Sequence, residues 1–294
     1  HMQHNKCEIF RIFEVNFNLL EFYADGKRKT IGKVSVFEPR LMYEGAIMKF
    51  NQEGKRKEIS TFEKGIPKGT SYHYFNNGKL QKQLEYLPYQ GSLPMDRPEI
   101  KLAEVPFNIG FKLIYLADSL GVEHVKDGNG HVKNIEVFEK NIRTEEGDYK
   151  DGVKHGTWNG SETINATNFT ETYENGKLMG GESTKNGIKY PYTSEMSFPS
   201  FNGGMKKFYE RVGYSVRYPA DAAKERIGGT VIVEFTVEKD GKVTDVDVKK
   251  SVYPSLDEEA IRVVRASPKW IPATQRGVPV RVKYSIPLKF TMRQ

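Results

Sequence analysis

A single cysteine, Cys7, stands in 294 residues, which excludes an internal disulfide and leaves redox compartment unmarked. It follows several residues of chain, which argues against a lipid anchor on a first mature cysteine. No hydrophobic run approaches the roughly 18 residues that a membrane-spanning helix needs. A secretion signal is expected to lie outside these residues, and His1-Met2 reads as a cloning remnant, with the natural chain starting near Gln3. Histidine is scarce, and His1, His4, His73, His124, His131 and His155 include no pair at the HExxH spacing of a helical zinc site. A GxSxG elbow, a P-loop and a dinucleotide fingerprint are all missing. DGNGH at 127–131 opens like a calcium loop but lacks a ligand at position 131 and the distant glutamate, so it reads as a turn. The sequence therefore gives no catalytic, cofactor-binding or metal residues, and a non-enzyme is expected.

The charge that is present is unevenly placed. Residues 206–294 hold 18 Lys and Arg against 11 Asp and Glu, whereas residues 1–205 balance at 27 of each, so the net +7 belongs to the C-terminal part. A basic region suits anionic lipid, nucleic acid or an acidic protein segment. No cluster of aromatic residues interleaves these cations, and nucleic acid is not expected as a partner. A length prior of about 150 residues per domain predicts two domains.

Between Phe22 and Tyr190, turn-forming pairs precede lysine at Asp25-Gly26-Lys27, Glu53-Gly54-Lys55, Asn77-Gly78-Lys79 and Asn175-Gly176-Lys177. Gly54 to Gly78 is 24 residues, and so is Gly152 to Gly176. EKGIPKGTSYHYF and KDGVKHGTWNGSE share a Gly-to-Gly spacing of four, from Gly65 to Gly69 and from Gly152 to Gly156. The pattern predicts successive β-hairpins, with Tyr72, Tyr74, Tyr86, Trp158 and Tyr173 covering junctions that one hairpin cannot bury alone. Residues 88–142 depart from it and are read as an insert, with a loop crossing the domain followed by two strands joined at Asp127-Gly128-Asn129-Gly130. YPYTSEMSFPSFNGG then reads as a linker. Met205, Phe208, Tyr209 and Val212 predict a short amphipathic helix ending at Gly213.

The last stretch has the clearest periodicity. Val231, Val233, Phe235 and Val237 alternate with Ile232, Glu234 and Thr236. Val246, Val248 and Val252 share a face, and Asp240-Gly241 between these runs predicts a hairpin. Ser255 and Glu258 have capping-box spacing, which starts a helix burying Leu256, Ala260, Val263 and Val264 until Pro268. Val280, Val282, Tyr284, Ile286, Leu288 and Phe290 alternate with Arg281, Lys283, Ser285, Pro287 and Lys289, a one-sided strand. Pro287 makes it an edge strand. Trp270, between Pro268 and Pro272, reads as a core anchor, and Tyr218 as structural.

The order YP, GG, a valine-rich strand, a DG turn, a LDEEA helix, PKW-x-P and VRVKYSIPLKF, over Tyr218–Phe290, resembles the C-terminal domain of TonB. NNGKLQKQLEY and ENGKLMGGEST resemble MORN-like repeats of secreted bacterial proteins. The expected fold is α+β: a C-terminal three-stranded antiparallel sheet with a packed helix at 215–294, preceded by a helix-bearing linker at 191–214 and an all-β domain of repeated hairpins at 3–190. Residues 215–294 are expected to fold alone.

The TonB resemblance implies that the last strand accepts an extended peptide as an added strand, at Arg281, Val282, Lys283, Tyr284, Ser285 and Ile286, with Arg217 in a second contact region. Arg281, Lys283 and Lys289 would favour an acidic partner. The membrane anchor and proline-rich arm of an energy-transducing TonB are missing from the sequence, so the resemblance implies a periplasmic or envelope adaptor that binds a protein, such as a TonB-dependent outer-membrane receptor, or pairs as a homodimer through edge strands. The alternative expectation is that the repeats bind a glycan or cell-wall polymer and the C-terminal domain dimerises.

Overall fold

The structure, a computed structural model, describes residues 7–11, 17–36, 41–88, 110–138 and 141–291. Its strands begin with β1 (Cys7–Arg11), β2 (Phe17–Phe22), β3 (Arg28–Val36), β4 (Met42–Phe50), β5 (Arg56–Glu63), β6 (Ile66–Tyr74), β7 (Leu80–Tyr86), β8 (Phe111–Ala117), β9 (Glu123–Lys126) and β10 (Asn129–Phe138). They continue with β11 (Asn141–Lys150), β12 (Val153–Glu162), β13 (Thr167–Glu174), β14 (Lys177–Lys185), β15 (Ile188–Tyr192) and β16 (Met196–Ser197). The C-terminal elements are α1 (Gly204–Ser215), α2 (Ala220–Lys224), β17 (Gly229–Val237), β18 (Val243–Lys250), α3 (Pro254–Arg265), β19 (Ala273–Gln275), β20 (Val278–Val280) and β21 (Val282–Phe290). Strands β1–β15 follow sequence order in one antiparallel sheet. By compactness the chain divides into two units, one of residues up to 137 with 143–160 and 172–177, the other of 138–142, 161–171 and 178 onward.

In the first unit the turns follow directly from the glycine pairs. Tyr23, Asn51 and Phe75 each donate an N–H to the carbonyl of the lysine four residues on, while Gly26, Gly54 and Gly78 donate back to them. These glycines have φ of 82, 80 and 88°, a conformation that glycine adopts without steric cost. Asn175-Gly176 differs. Both residues have positive φ, 49 and 78°, as in the two-residue turns Lys64-Gly65 and Asp151-Gly152, so the fourth asparagine- or acid-led pair is a tighter turn than the other three. A further correction concerns the insert. Its C-terminal part forms three strands, β8, β9 and β10, because Asp118 accepts hydrogen bonds from the N–H groups of Leu120, Gly121 and Val122 and closes an extra turn. The crossing loop expected before Gly110 lies mostly outside the described residues.

One face of β4–β8 carries a cross-strand row of buried residues, Ile47, Ser60, Ser71, Leu84 and Leu113. The two serines are bonded Oγ to Oγ at 2.8 Å, which satisfies groups that would otherwise be costly to bury. The aromatic coverage differs along the strands. Trp158 and Tyr173 are buried and meet edge to face, centroids 6.3 Å apart, whereas Tyr72, Tyr74 and Tyr86 are half-buried. Gly147 makes room for the indole, since a Cβ there would lie 2.4 Å from the Trp158 ring.

The C-terminal part of the second unit is an α+β layer structure. β17 lies between β18 and β21, and Val231, Val233, Phe235 and Val237 are fully buried together with Leu256, Ala260, Val263 and Val264 of α3. Residues 191–203, expected as a linker, are tied in. Met196 and Ser197 pair with β19, Ser200 bridges Ile271, and Phe201 is buried. Phe201 meets Trp270 edge to face and Phe208 of α1 meets it at a tilt, with centroids 5.7 and 5.3 Å away. α1 runs on past Gly213 to Ser215.

Trp270 is the anchor that its proline-flanked position predicts. Its backbone N–H donates to Gly241 O at 2.8 Å, and its ring N–H to Ser267 Oγ at 2.9 Å. A Cβ on Gly241 would stand 2.1 Å from the Trp270 carbonyl oxygen, so the hairpin turn and the anchor require each other.

The capping box does not form. Pro254 takes the first position of α3, leaving Ser255 inside the helix with its buried Oγ unbonded among the described residues. Asp257 instead reaches back to Ser251 Oγ and the Val252 N–H. The final run is also broken: Val280 belongs to β20, which pairs with β19, and β21 begins two residues later.

Candidate edge-strand interface

β21 pairs with β17 over nine unbroken positions, from Val282 opposite Val237 to Phe290 opposite Gly229. In this sheet it has no neighbour on its other side among the described residues. Pro287 stands opposite Ile232, and lacking an N–H it suits a position whose backbone turns away from β17. With the register unbroken, Lys283, Ser285 and Lys289 share that parity and turn their backbone groups to the open edge.

The side chains divide as the alternation predicts. Ile286 is buried opposite Val233. Val282 and Tyr284 are half-buried, Tyr284 with its ring 6.0 Å from Phe235 and 5.8 Å from Trp270. Arg281, Lys283 and Ser285 are exposed.

Two cations expected to draw an acidic partner are already engaged by the sheet's own carboxylates. Arg281 donates to Glu238 at 2.8 Å and to Asp245, and Lys283 Nζ lies 3.1 Å from Glu234. The hydrogen bond from Arg281 is the main cause that holds Glu238 below the usual carboxylate range. Asp245 also accepts from Thr236, the buried hydroxyl on this face, at 3.0 Å.

Arg217 is held elsewhere, at α3. Its backbone N–H donates to Glu259 Oε1 at 2.6 Å, while Arg262 bonds the same carboxylate and the Ser215 carbonyl, each at 2.7 Å. The Arg262 bonds lower the Glu259 pKa first, and the Arg217 N–H follows. The structure thus joins six of the seven expected residues at one edge and puts the seventh beside the helix. Tyr218 is structural: its hydroxyl donates to Ile227 O at 2.5 Å and its ring lies 6.2 Å from Phe290.

The sequence reading missed a buried ionic cluster in the second unit. Arg276, in the β19–β20 turn with φ of 45°, is 3% exposed, and its guanidinium donates to Glu171 at 2.8 Å, Glu162 at 2.6 Å and Glu195 at 3.1 Å. It also lies 4.0 Å over the Phe169 ring. Tyr192 donates its hydroxyl to Glu171 at 2.9 Å, and burial followed by that carboxylate raises its pKa. The cluster is fully committed to internal bonds, which makes it a structural tie. Its one sequence signal is an arginine where such a turn favours asparagine or aspartate.

Ser71 Oγ and His73 Nε2 lie 3.0 Å apart in the first unit, the spacing of a nucleophile and base, but Ser71 is fully buried. Burial lowers the His73 pKa. Asp127-Gly128 is a turn between β9 and β10, and no group of three His, Cys, Asp or Glu side chains forms a metal site among the described residues.

With this geometry in view, the comparisons with known proteins bear on the C-terminal part. Residues 214–292 match the family described as Gram-negative bacterial TonB protein C-terminal. TonB C-terminal domains are non-enzymatic energy-transduction or binding domains, associated with the envelope and with outer-membrane transport, and they interact with partners such as outer-membrane receptors. Among solved structures, the NMR solution structure of the Helicobacter pylori TonB C-terminal domain matches at 24% identity, over 31% of this chain and 95% of that one, with a TM-score of 0.24. No curated protein matches. Among the described residues no helix is long and apolar enough to cross a membrane.

Proposed function

We propose that this chain is a non-catalytic adaptor or scaffold of the periplasm or cell envelope, which captures an extended, TonB-box-like peptide by adding it as a strand to β21. The carrying observation is the open side of β21, nine residues long and locked in register by its other side. An edge of this kind offers unpaired N–H and C=O groups, so main-chain hydrogen bonds supply affinity with little demand on sequence. An outer-membrane receptor segment is the partner the TonB-like region suits, and a second copy of β21 is the competing guest. In this reading the preceding strands are MORN-like hairpin repeats that present the binding region.

Ser285→Pro tests the mechanism. It removes an N–H from the open side while leaving the β17 ladder intact. Titration calorimetry with a TonB-box-like peptide should show binding to the parent and none to the variant, with circular dichroism confirming that both are folded. A folded proline variant that binds as tightly as the parent overturns the reading.

One observation favours a second reading, in which the strands bind a glycan. A cavity of about 620 Å³ in the first unit is lined by Glu63, Ile66, Pro67, Glu85, Tyr86 and Leu87. Co-sedimentation with purified cell wall, lost in Tyr86→Ala, would support it. Equal co-sedimentation of parent and variant would remove it.

A further inference from the structure

The two ends of β21 differ in charge balance. At the Val282 end the cations are matched: Arg281 by Glu238 and Asp245, Lys283 by Glu234, which Lys249 also approaches at 3.8 Å. At the Phe290 end, Lys289 is exposed opposite Thr230 and makes no ion pair among the described residues. Arg226 lies at the same end, three residues before the Gly229 that pairs with Phe290, and it too is exposed without an ion pair among the described residues. Burial raises the Tyr253 pKa first, followed by the charges of Glu225 and Asp221, and Glu225 also hydrogen-bonds that hydroxyl.

Resting on the strand-addition reading, we infer that β21 selects the placement of its guest by charge: the acidic residue of an added peptide strand sits opposite Lys289, at the Phe290 end, and not opposite Arg281 or Lys283. Side chains directly opposed on neighbouring strands are close enough to interact, and an opposite-charge pair there is favourable. An acid at the Val282 end meets Glu234, Glu238 and Asp245, which already hold the cations and repel a further carboxylate. At the Phe290 end an incoming carboxylate displaces no ion-pair partner among the described residues. The same asymmetry disfavours a neutral strand and a strand acidic in its middle, so it gives a main-chain mechanism some side-chain specificity.

The probe is a capped peptide of alternating threonine and valine, as long as β21, with aspartates at one end and a nitroxide beside them. The tag should broaden the amide signals of Leu288–Phe290 and leave those of Val282–Tyr284 sharp. Lys289→Ala should weaken binding about twofold to fivefold at low salt, the scale of an exposed cross-strand charge pair, and more than either Arg281→Ala or Lys283→Ala does. Broadening at Val282–Tyr284, or an equal loss in all three variants, overturns the charge assignment while leaving strand addition standing. Equally tight binding of the asparagine version of the peptide does the same. A peptide that perturbs no β21 amide overturns both.

Discussion

In β17 four alternate residues, Val231, Val233, Phe235 and Val237, are buried in the same core as α3, α1 and Trp270. In β5 and β6 the fully enclosed positions are Ser60 and Ser71, and further along the strands a tryptophan folds over a glycine of its own sheet. The C-terminal region is thus stabilised by a second layer, which concentrates apolar burial in one cluster. The strands of the first unit rely on cross-strand neighbours, glycine-led turns and bonded polar pairs, which spread smaller contributions over many strands. A substitution should therefore have a large, local effect in the first case and a modest one in the second.

The largest difference is expected from truncation. A fragment starting at 215 loses Phe201, Phe208 and Val212 from the Trp270 core, worth about 5–9 kcal/mol at the usual burial of such side chains, against a fragment starting at 196. Amide dispersion and urea unfolding of the two compare them directly, and equal stability would show that α1 and residues 196–203 add nothing. Trp270→Ala should cost about 3–5 kcal/mol in urea unfolding of the full chain. Arg276→Ala should cost about 3 kcal/mol, because the buried carboxylates of Glu162 and Glu171 lose a cation. Ser71→Ala should cost only about 1 kcal/mol, a neutral hydrogen-bond loss in the first unit.

The smallest effect is on pH dependence. Burial alone would raise the Glu145 pKa, but Lys154 and Arg143 outweigh it and the net shift is downward. A depressed carboxylate pKa contributes stability at neutral pH that is lost as the pH falls through the folded value. Lys154→Met should flatten that part of the thermal-unfolding profile on acidification. An unchanged slope would show that this ion pair does not contribute.

Much of the C-terminal fold is legible in the sequence because alternation, a glycine turn and a proline-flanked tryptophan are local signals. β21 as an edge can be read from Pro287 alone. What escapes is decided by distant or competing partners. Arg276 sits 105 and 114 residues from Glu171 and Glu162, and an Arg-Gly turn reads as a solvated tip. Ser255 has capping spacing, but Pro254 enters the helix ahead of it and moves the N-cap two residues back, to Tyr253. Residues 191–203 have linker composition, yet Phe201 finds Trp270 nearly seventy residues later in the chain, a contact that no local pattern encodes. Arg281 and Lys283 are placed correctly on the edge, while the acids that neutralise them come from β17 and β18 and the loop between them.

The open side of β21 is tested most directly by amide hydrogen exchange resolved along that strand. In the free protein the account predicts alternation: fast exchange at Lys283, Ser285 and Lys289, slow exchange at Tyr284, Ile286 and Leu288. Adding the extended acidic peptide should protect the fast set and leave the slow set unchanged. Uniform protection along β21 before any peptide is added, at all protein concentrations, would contradict the account, because the edge would already be covered.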